Sequence, residues 1–564
     1  MLETSHDPLK ECPPSPRSTP QWDSLQNRRT ALAILLLIIA AGLVLRSYGL
    51  YGRSIWFDES ISWRSIQFPF AEMIERTARD IHPPLFYVLL RLWTAAFGEG
   101  IVALRSFSLA MSALAMLGVY LFTVEAMGMG RSLIASPHPL RGAKEGNAQV
   151  GPHPLPLSPR ERGEMGRARW IGLAATALFA VSLYQVRMAW EIRMYSLGTA
   201  LAMFSAWLLL RALAARPQRG RLWLLYMLAG LLLAYTHYCA LFSLLAQSSF
   251  ALSLIVSDAR CNLKAALKDV RLRWLAFSCG GMAAGWSAWL PVFLEQRRRV
   301  AEGWHHNVPF SLHDIPAMCY EMFFHPEVHG SAFSYAVVVT AVCGFAVLAI
   351  LWRGGAGQWC AACLALVPLG MMSLASSTGS NLMIVRYMAF LQPFLLIAIA
   401  AAIWRIPIDW LRDLIASAVV AAGLLLHVDF VDSLDIPNRP GASAAAAYID
   451  AHRAPGEPVI ACSPLLLFPA LYHARQREGW HVYSNRPELP HYAAGPVIVA
   501  GDIFSDHDMD AVRAKRAWVV TSSGDWAGWG LYIPPAWLQT SEQRFPEVYG
   551  FQNDVKVLCY EIPE

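Results

Sequence analysis

Long apolar runs recur along most of this chain. They cover residues 31–49, 101–127, 170–186, 194–213, 222–238, 239–256, 274–294, 333–352, 358–376, 387–404 and 413–428. A helix needs about 20 apolar residues to cross a bilayer. The pattern therefore predicts a polytopic α-helical membrane protein with about eleven spans. Two shorter segments break the rule. Residues 85–97 are apolar but too short to span comfortably. Residues 68–81 place Phe70, Met73, Ile74, Thr77 and Ile81 on one helical face, with Glu72, Glu75, Arg76, Arg79 and Asp80 elsewhere. That is the pattern of a helix lying in a membrane interface. Both segments are read as interfacial helices of the first outer loop.

Charge orients the spans. The chain is 55% hydrophobic and 15% charged, against about 25% charged in soluble domains. Its net charge of +5 says little alone. Basic residues crowd the N-terminal tail (Lys10, Arg17, Arg28, Arg29), the 128–169 loop, the 211–221 loop (Arg211, Arg216, Arg219, Arg221) and the 258–273 loop. The positive-inside rule makes these cytoplasmic. The loop after the first span, and everything beyond about residue 429, then face outward. Were 85–97 a span, the basic 128–169 loop would fall outside, which supports its interfacial placement. Residues 1–29 are polar and Pro-rich and read as a disordered cytoplasmic tail, not as a cleavable signal peptide.

Residues 30–428 thus form a transmembrane domain. It is interrupted at 136–166 by a Pro- and Gly-rich insertion that repeats Pro-His-Pro-Leu at 137–140 and 152–155. Such a stretch buries no core and is expected to be disordered on the cytoplasmic side. The tail, 429–564, has another texture. Helices are expected at 443–452, 465–474 and 508–515, and strands at 458–463, 496–500, 517–521 and 555–560. Helix alternating with apolar strand predicts a small extracytoplasmic α/β domain. Of the ten cysteines, Cys360 and Cys363 lie in an apolar run and read as core, and Cys462 and Cys559 of the tail are candidates for a disulfide.

Candidate chemistry collects on the outer side. Trp56-Phe57-Asp58-Glu59-Ser60 follows the first span. Two carboxylates beside a bilayer read either as a proton acceptor at a lipid-facing cavity or as a pair neutralised by Arg53 or Arg64. His82-Pro83-Pro84 lies between the interfacial helices, as a rigid turn whose His is either a cap or a substrate contact. Arg187, Glu191, Arg193 and Tyr195 crowd one short outer connection, against the positive-inside bias, and suit an anion site or snorkelling to head groups. Tyr235-Thr236-His237-Tyr238 is a further polar island. The outer loop 295–332 carries Arg297, Arg298, Arg299, Glu321 and the pair His305-His306, which cannot face one point from a regular helix or strand and so argues against a metal site. Asn381 and Arg386-Tyr387 precede or open the tenth span, where an arginine can pair bidentately with phosphate. A carboxylate loop with arginines at neighbouring span ends suits group transfer from a phosphate leaving group.

Four pieces in this order resemble one family. They are Arg53-Ser-Ile-Trp56-Phe-Asp58-Glu59-Ser60, His82-Pro-Pro-Leu-Phe-Tyr87, Glu191-Ile-Arg193-Met-Tyr195-Ser-Leu and Arg386-Tyr387. Over roughly residues 30–405 the chain resembles the GT-C membrane glycosyltransferases that use lipid-phosphate sugars. The bacterial protein mannosyltransferase and aminoarabinose transferase superfamily is most similar (glycosyltransferase family 39-like, with its lipopolysaccharide galacturonosyltransferase-like group). The resemblance implies a GT-C fold and an inverting transfer of a sugar from a polyprenyl-phosphate donor to a lipid, glycan or protein acceptor. It implies a catalytic Asp58 with Glu59 as its neighbour, and phosphate contacts from Arg193 or Arg386, less directly from Arg187. His82, Tyr195 and Tyr387 complete the expected substrate-binding set. No cofactor is expected, the transfer being metal-independent with a divalent cation left open, and no nucleic acid is expected as partner. Membrane lipids surround the protein, with the site facing the periplasm across a bacterial inner membrane. The competing class is a polytopic transporter or lipid flippase, which predicts internal repeats and charged or broken helices at mid-span. A membrane-bound sensor would leave the acidic pair unexplained.

Overall fold

The computed structural model describes residues 25–129, 159–215, 219–301, 309–324, 333–352, 354–379, 381–524, 529–549 and 553–563. His305, His306 and positions 136–158 of the insertion lie outside them, as does most of the N-terminal tail. Helix Leu25–Ser47 begins within the tail as read from sequence, and helix Pro159–Val181 begins within the insertion.

Among the described residues, seven helices are long and apolar enough to cross a bilayer: Arg28–Leu50, Ile101–Gly128, Tyr195–Ala214, Ala240–Asp258, Phe333–Leu351, Ala356–Thr378 and Asp409–Asn438. A broken pair, Gly163–Val181 and Leu183–Trp190, bent by 60°, makes an eighth when counted as one span. The other expected spans take shorter forms. Residues 222–238 give the 15-residue helix Gly220–Ala234, and 387–404 give the 12-residue helix Gln392–Ile403 after a 3-10 segment, Val385–Phe390. Residues 274–294 divide between helices Val270–Ser287 and Leu290–Ala301. At 1.5 Å per residue, a 12-residue helix reaches only about 18 Å. Apolar length alone overstates these elements because part of each run turns at the outer face and carries polar groups there.

The bend has a local cause. Ser182 caps helix Leu183–Trp190, its hydroxyl accepting from the Gln185 N–H at 3.5 Å. At the break the Phe179 carbonyl keeps a turn bond from the Ser182 N–H at 3.3 Å, and the buried Arg46 guanidinium donates to the carbonyls of Phe179 and Ala180 at 3.1 and 2.8 Å. A helix end in a membrane needs such a partner, since lipid supplies none. Trp190, at the end of the bent piece, packs on Gly49, where a Cβ would lie 2.2 Å from the indole.

The first outer loop contains three helices, Phe57–Gln67, Phe70–Arg79 and Leu85–Phe97. The second and third match the expected interfacial pair. The first carries the acidic pair in its opening turn and escapes periodicity, because serines and Arg64 interrupt its apolar face.

The C-terminal domain is a six-stranded mixed sheet flanked by helices Gly441–His452 and Pro464–His473. Its strands are β1 Val459–Ala461, β2 Trp480–Tyr483, β3 Ile503–Phe504, β4 Arg516–Ser522, β5 Leu538–Pro546 and β6 Asp554–Glu561. Their order is β3-β2-β1-β4-β6-β5, parallel through β4, with β6 antiparallel to both β4 and β5. The strand expected at 496–500 is instead two 3-10 turns, Gly495–Val497 and Ala500–Asp502. Pro496 cannot donate to a ladder, and the carbonyls of Pro496 and Ile498 accept from Arg76 at 2.9 and 3.2 Å. The helix expected at 508–515 is the shorter Asp506–Asp510. Cys462 and Cys559 are both buried thiols. The strand β4 separates β1 from β6, so the two thiols stand about two strand spacings apart, roughly 10 Å, beyond disulfide reach.

Candidate active site

Asp58 and Glu59 are neighbours in sequence with opposite surroundings. Both lie in the first turn of helix Phe57–Gln67, where unpaired backbone N–H groups favour negative charge. Glu59 is fully buried. Its Oε2 accepts from Arg105 Nη2 at 2.8 Å and from the Trp56 N–H at 3.2 Å. Its Oε1 accepts from Arg105 Nε at 3.0 Å, Arg53 Nη2 at 3.4 Å and the Ile192 N–H at 3.3 Å. Burial alone would raise this carboxyl's pKa, but Arg105 and Arg53 outweigh it and hold the group below the ordinary range. Glu59 thus ties the helix N-terminus to the Trp190–Arg193 connection and faces away from the cavity. Arg105 entered no expectation: it stands in the first turn of an apolar span, where sequence alone gives it no partner.

Asp58 faces a cavity of about 620 Å³ between the outer helices and the C-terminal domain. Its Oδ2 accepts from Arg386 Nη1 at 2.8 Å, and Arg193 Nε stands 4.0 Å away. Arg386 sits in the 3-10 segment Val385–Phe390. Tyr184 Oη donates to the Val385 carbonyl at 2.7 Å and Thr199 Oγ1 to that of Ala389 at 3.1 Å, which fixes this segment. Gly198 admits it, since a Cβ there would lie 2.2 Å from the Phe390 ring.

His82 is placed by the Pro83-Pro84 turn and is buried. Its Nε2 lies 2.7 Å from Arg193 Nη2. A guanidinium only donates, so Nε2 accepts and the proton of the neutral ring is on Nδ1. Burial, with Arg193 next, pushes the imidazole well below its ordinary pKa. His82 therefore orients Arg193 and leaves that arginine's charge uncancelled.

Six of the eight expected site residues line this one cavity: Asp58, His82, Arg193, Tyr195, Arg386 and Tyr387. Glu59 and Arg187 are not among the lining residues. Arg187 lies over the Phe430 ring, 5.6 Å from its centroid. His237, from the polar island, packs against Tyr387, His82 and Tyr195 at ring distances of 5.0, 5.7 and 6.0 Å. Asp80 and Tyr87 also line the cavity, as do His491, Tyr492 and Trp529 of the C-terminal domain.

That domain is built into the loop carrying the acidic pair. Ser54 Oγ donates to the Pro440 carbonyl at 2.7 Å, the Ile55 N–H to His473 Nε2 at 3.1 Å, and Trp56 stacks on Tyr549 with centroids 5.7 Å apart. No signal in the sequence joins these positions, because about four to five hundred residues separate them.

Solved structures share this overall fold. The chain superposes on the crystal structure of ArnT from Cupriavidus metallidurans bound to undecaprenyl phosphate with a TM-score of 0.53 and 13% identity, covering 93% of this chain and 97% of that one. Against the apo form of the same ArnT the values are 0.52, 15%, 94% and 98%. The chain has the GT-C fold. No protein-family model matches it, and no curated protein does. The likeness spans both the membrane helices and the C-terminal domain.

Proposed function

We propose that this GT-C protein is a membrane glycosyltransferase. In this reading it moves a sugar from a polyprenyl-phosphate donor to a lipid, glycan or protein acceptor, at the periplasmic side of a bacterial inner membrane. One observation carries the reading: Asp58 meets Arg386 at 2.8 Å and Arg193 at 4.0 Å in a cavity bordered by membrane helices. The undecaprenyl phosphate bound to ArnT in a similar fold agrees with it.

Arg386 and Arg193 bind the donor phosphate and neutralise the charge that grows on it as the bond to the anomeric carbon breaks. Asp58 holds both guanidiniums in place and sets a negative charge beside that carbon, which becomes positive in the transition state. His82 fixes Arg193, while Tyr195 and Tyr387 wall the sugar's space. The acceptor oxygen attacks from the face opposite the phosphate, so one displacement inverts the configuration. Glu59 and Arg105 hold the loop and take no part in the bond changes.

The test is transfer of label from a panel of undecaprenyl-phosphate hexoses, pentoses and uronic acids to membranes of a strain lacking the gene. The purified wild-type protein transfers one of these sugars; Asp58→Asn does not, while its thermal stability stays near wild type. Full turnover by Asp58→Asn refutes the role given to this carboxylate. Movement of the intact lipid across vesicles without covalent transfer would favour the transporter reading.

A further inference from the structure

A second carboxylate lines the same cavity and is unused in the scheme above. Asp80 ends helix Phe70–Arg79, its N–H donating to the carbonyls of Arg76 and Thr77, both at 3.1 Å. Its side chain borders the cavity together with Asp58, Arg193 and Tyr87. Among the described residues, no cationic nitrogen lies within the 4.0 Å of an ion pair to it. A half-buried carboxylate without an ion pair is costly to keep, and such a group in a cleft points to function.

Asp58 is already engaged: its Oδ2 accepts from Arg386, with Arg193 close by. Asp80 has the reverse environment. The groups facing it are Arg193 and Asp58 across the cavity and Arg299 from helix Leu290–Ala301. Tyr87, Tyr238 and the neutral His82 stand nearby. Burial pushes its carboxyl up to about 6, Arg193 and Arg299 oppose this, and Asp58 adds to it. General bases work best with a pKa near the operating pH.

We propose that the two cavity carboxylates divide the work: Asp58 holds the arginines at the leaving phosphate, and Asp80 takes the proton of an acceptor hydroxyl. The proposal rests on the glycosyltransferase reading and narrows the acceptor to a hydroxyl, since an ionised phosphate has no proton to give. The acceptor oxygen bonds to the anomeric carbon and its proton passes to the Asp80 carboxylate. The bond from that carbon to the carrier's phosphate oxygen breaks, and its electron pair stays on the phosphate.

The experiment measures kcat against pH, from about pH 5 to about pH 9, for the full-length detergent-purified wild type, Asp80→Asn and Asp80→Glu. It uses the labelled undecaprenyl-phosphate sugar that the wild type accepts and membranes from the deletion strain. Wild-type kcat rises with pH through an apparent pKa near 6. Asp80→Asn loses roughly a hundredfold in kcat together with that limb, as removal of a general base does. Asp80→Glu restores part of the rate with a displaced limb, and both variants bind undecaprenyl phosphate as the wild type does. An Asp80→Asn enzyme that keeps its rate, or that raises KM while leaving the limb in place, overturns the assignment. Should Asp80→Asn fail to fold, an unmoved limb in Asp80→Glu overturns it equally. A wild-type protein that transfers none of the sugars removes the glycosyltransferase reading and this assignment with it.

Discussion

Glu59→Gln separates holding from chemistry. Glu59 is fully buried and accepts five hydrogen bonds, two of them from the equally buried Arg105. Glutamine keeps one acceptor oxygen and turns an NH2 group toward a guanidinium that can only donate. The Arg105 charge is then left without its anion, a situation that costs about 3–5 kcal/mol in buried pairs. Proteins are stable by roughly 5–15 kcal/mol, so this is a large fraction. The assay is the half-life of the folded protein at raised temperature in detergent, because large membrane proteins unfold irreversibly. Glu59→Gln should shorten it markedly, and Arg105→Met alone should do the same by stranding Glu59. The double variant Glu59→Gln/Arg105→Met should be less damaged than the sum of the two, since it leaves only Arg53, which meets Glu59 at the longer 3.4 Å, without that anion. The carboxyl's lowered pKa sets the pH window: its contribution is present above about 4.3, its unfolded value, and is lost only as pH falls through the folded one. A Glu59→Gln protein with wild-type half-life and abolished turnover would refute the reasoning and make Glu59 a chemical participant.

Arg386→Ala should weaken binding of undecaprenyl phosphate about 10- to 100-fold, the worth of a charged hydrogen bond of about 1.5–3 kcal/mol. Arg187→Ala, outside the cavity lining, should leave that affinity unchanged; titration of the lipid into purified protein checks both, and equal losses would move the phosphate site. Arg76→Ala removes the two bonds that clip the 490–502 segment to helix Phe70–Arg79. Amide exchange across 490–502 should quicken and KM for the acceptor should rise, whereas unchanged protection would show that other contacts hold the segment.

Much of this molecule is legible in its sequence, because the relevant physics is local. Apolar length marks most of the membrane-crossing helices. The period-3.6 pattern over 68–81 foretells helix Phe70–Arg79, and apolar runs bounded by turn residues foretell β1, β4 and β6. Four short motifs suffice to suggest the GT-C fold and six residues of the cavity wall. What the sequence cannot express is contact across distance. Asp58 and Glu59 are chemically alike and adjacent, yet a helical step of about 100° turns one to the cavity and the other to Arg105. Helix Gly220–Ala234 is shorter than its apolar run because the chain turns at 235–238, where His237 packs against Tyr387 and His82, and hydropathy does not distinguish a turn from a helix. The C-terminal domain reads as a separate unit, but its Tyr549, His473 and Pro440 hold the loop that leads into Asp58. Composition and periodicity thus settle what each segment is, while the packing of segments hundreds of residues apart decides which carboxylate meets which arginine.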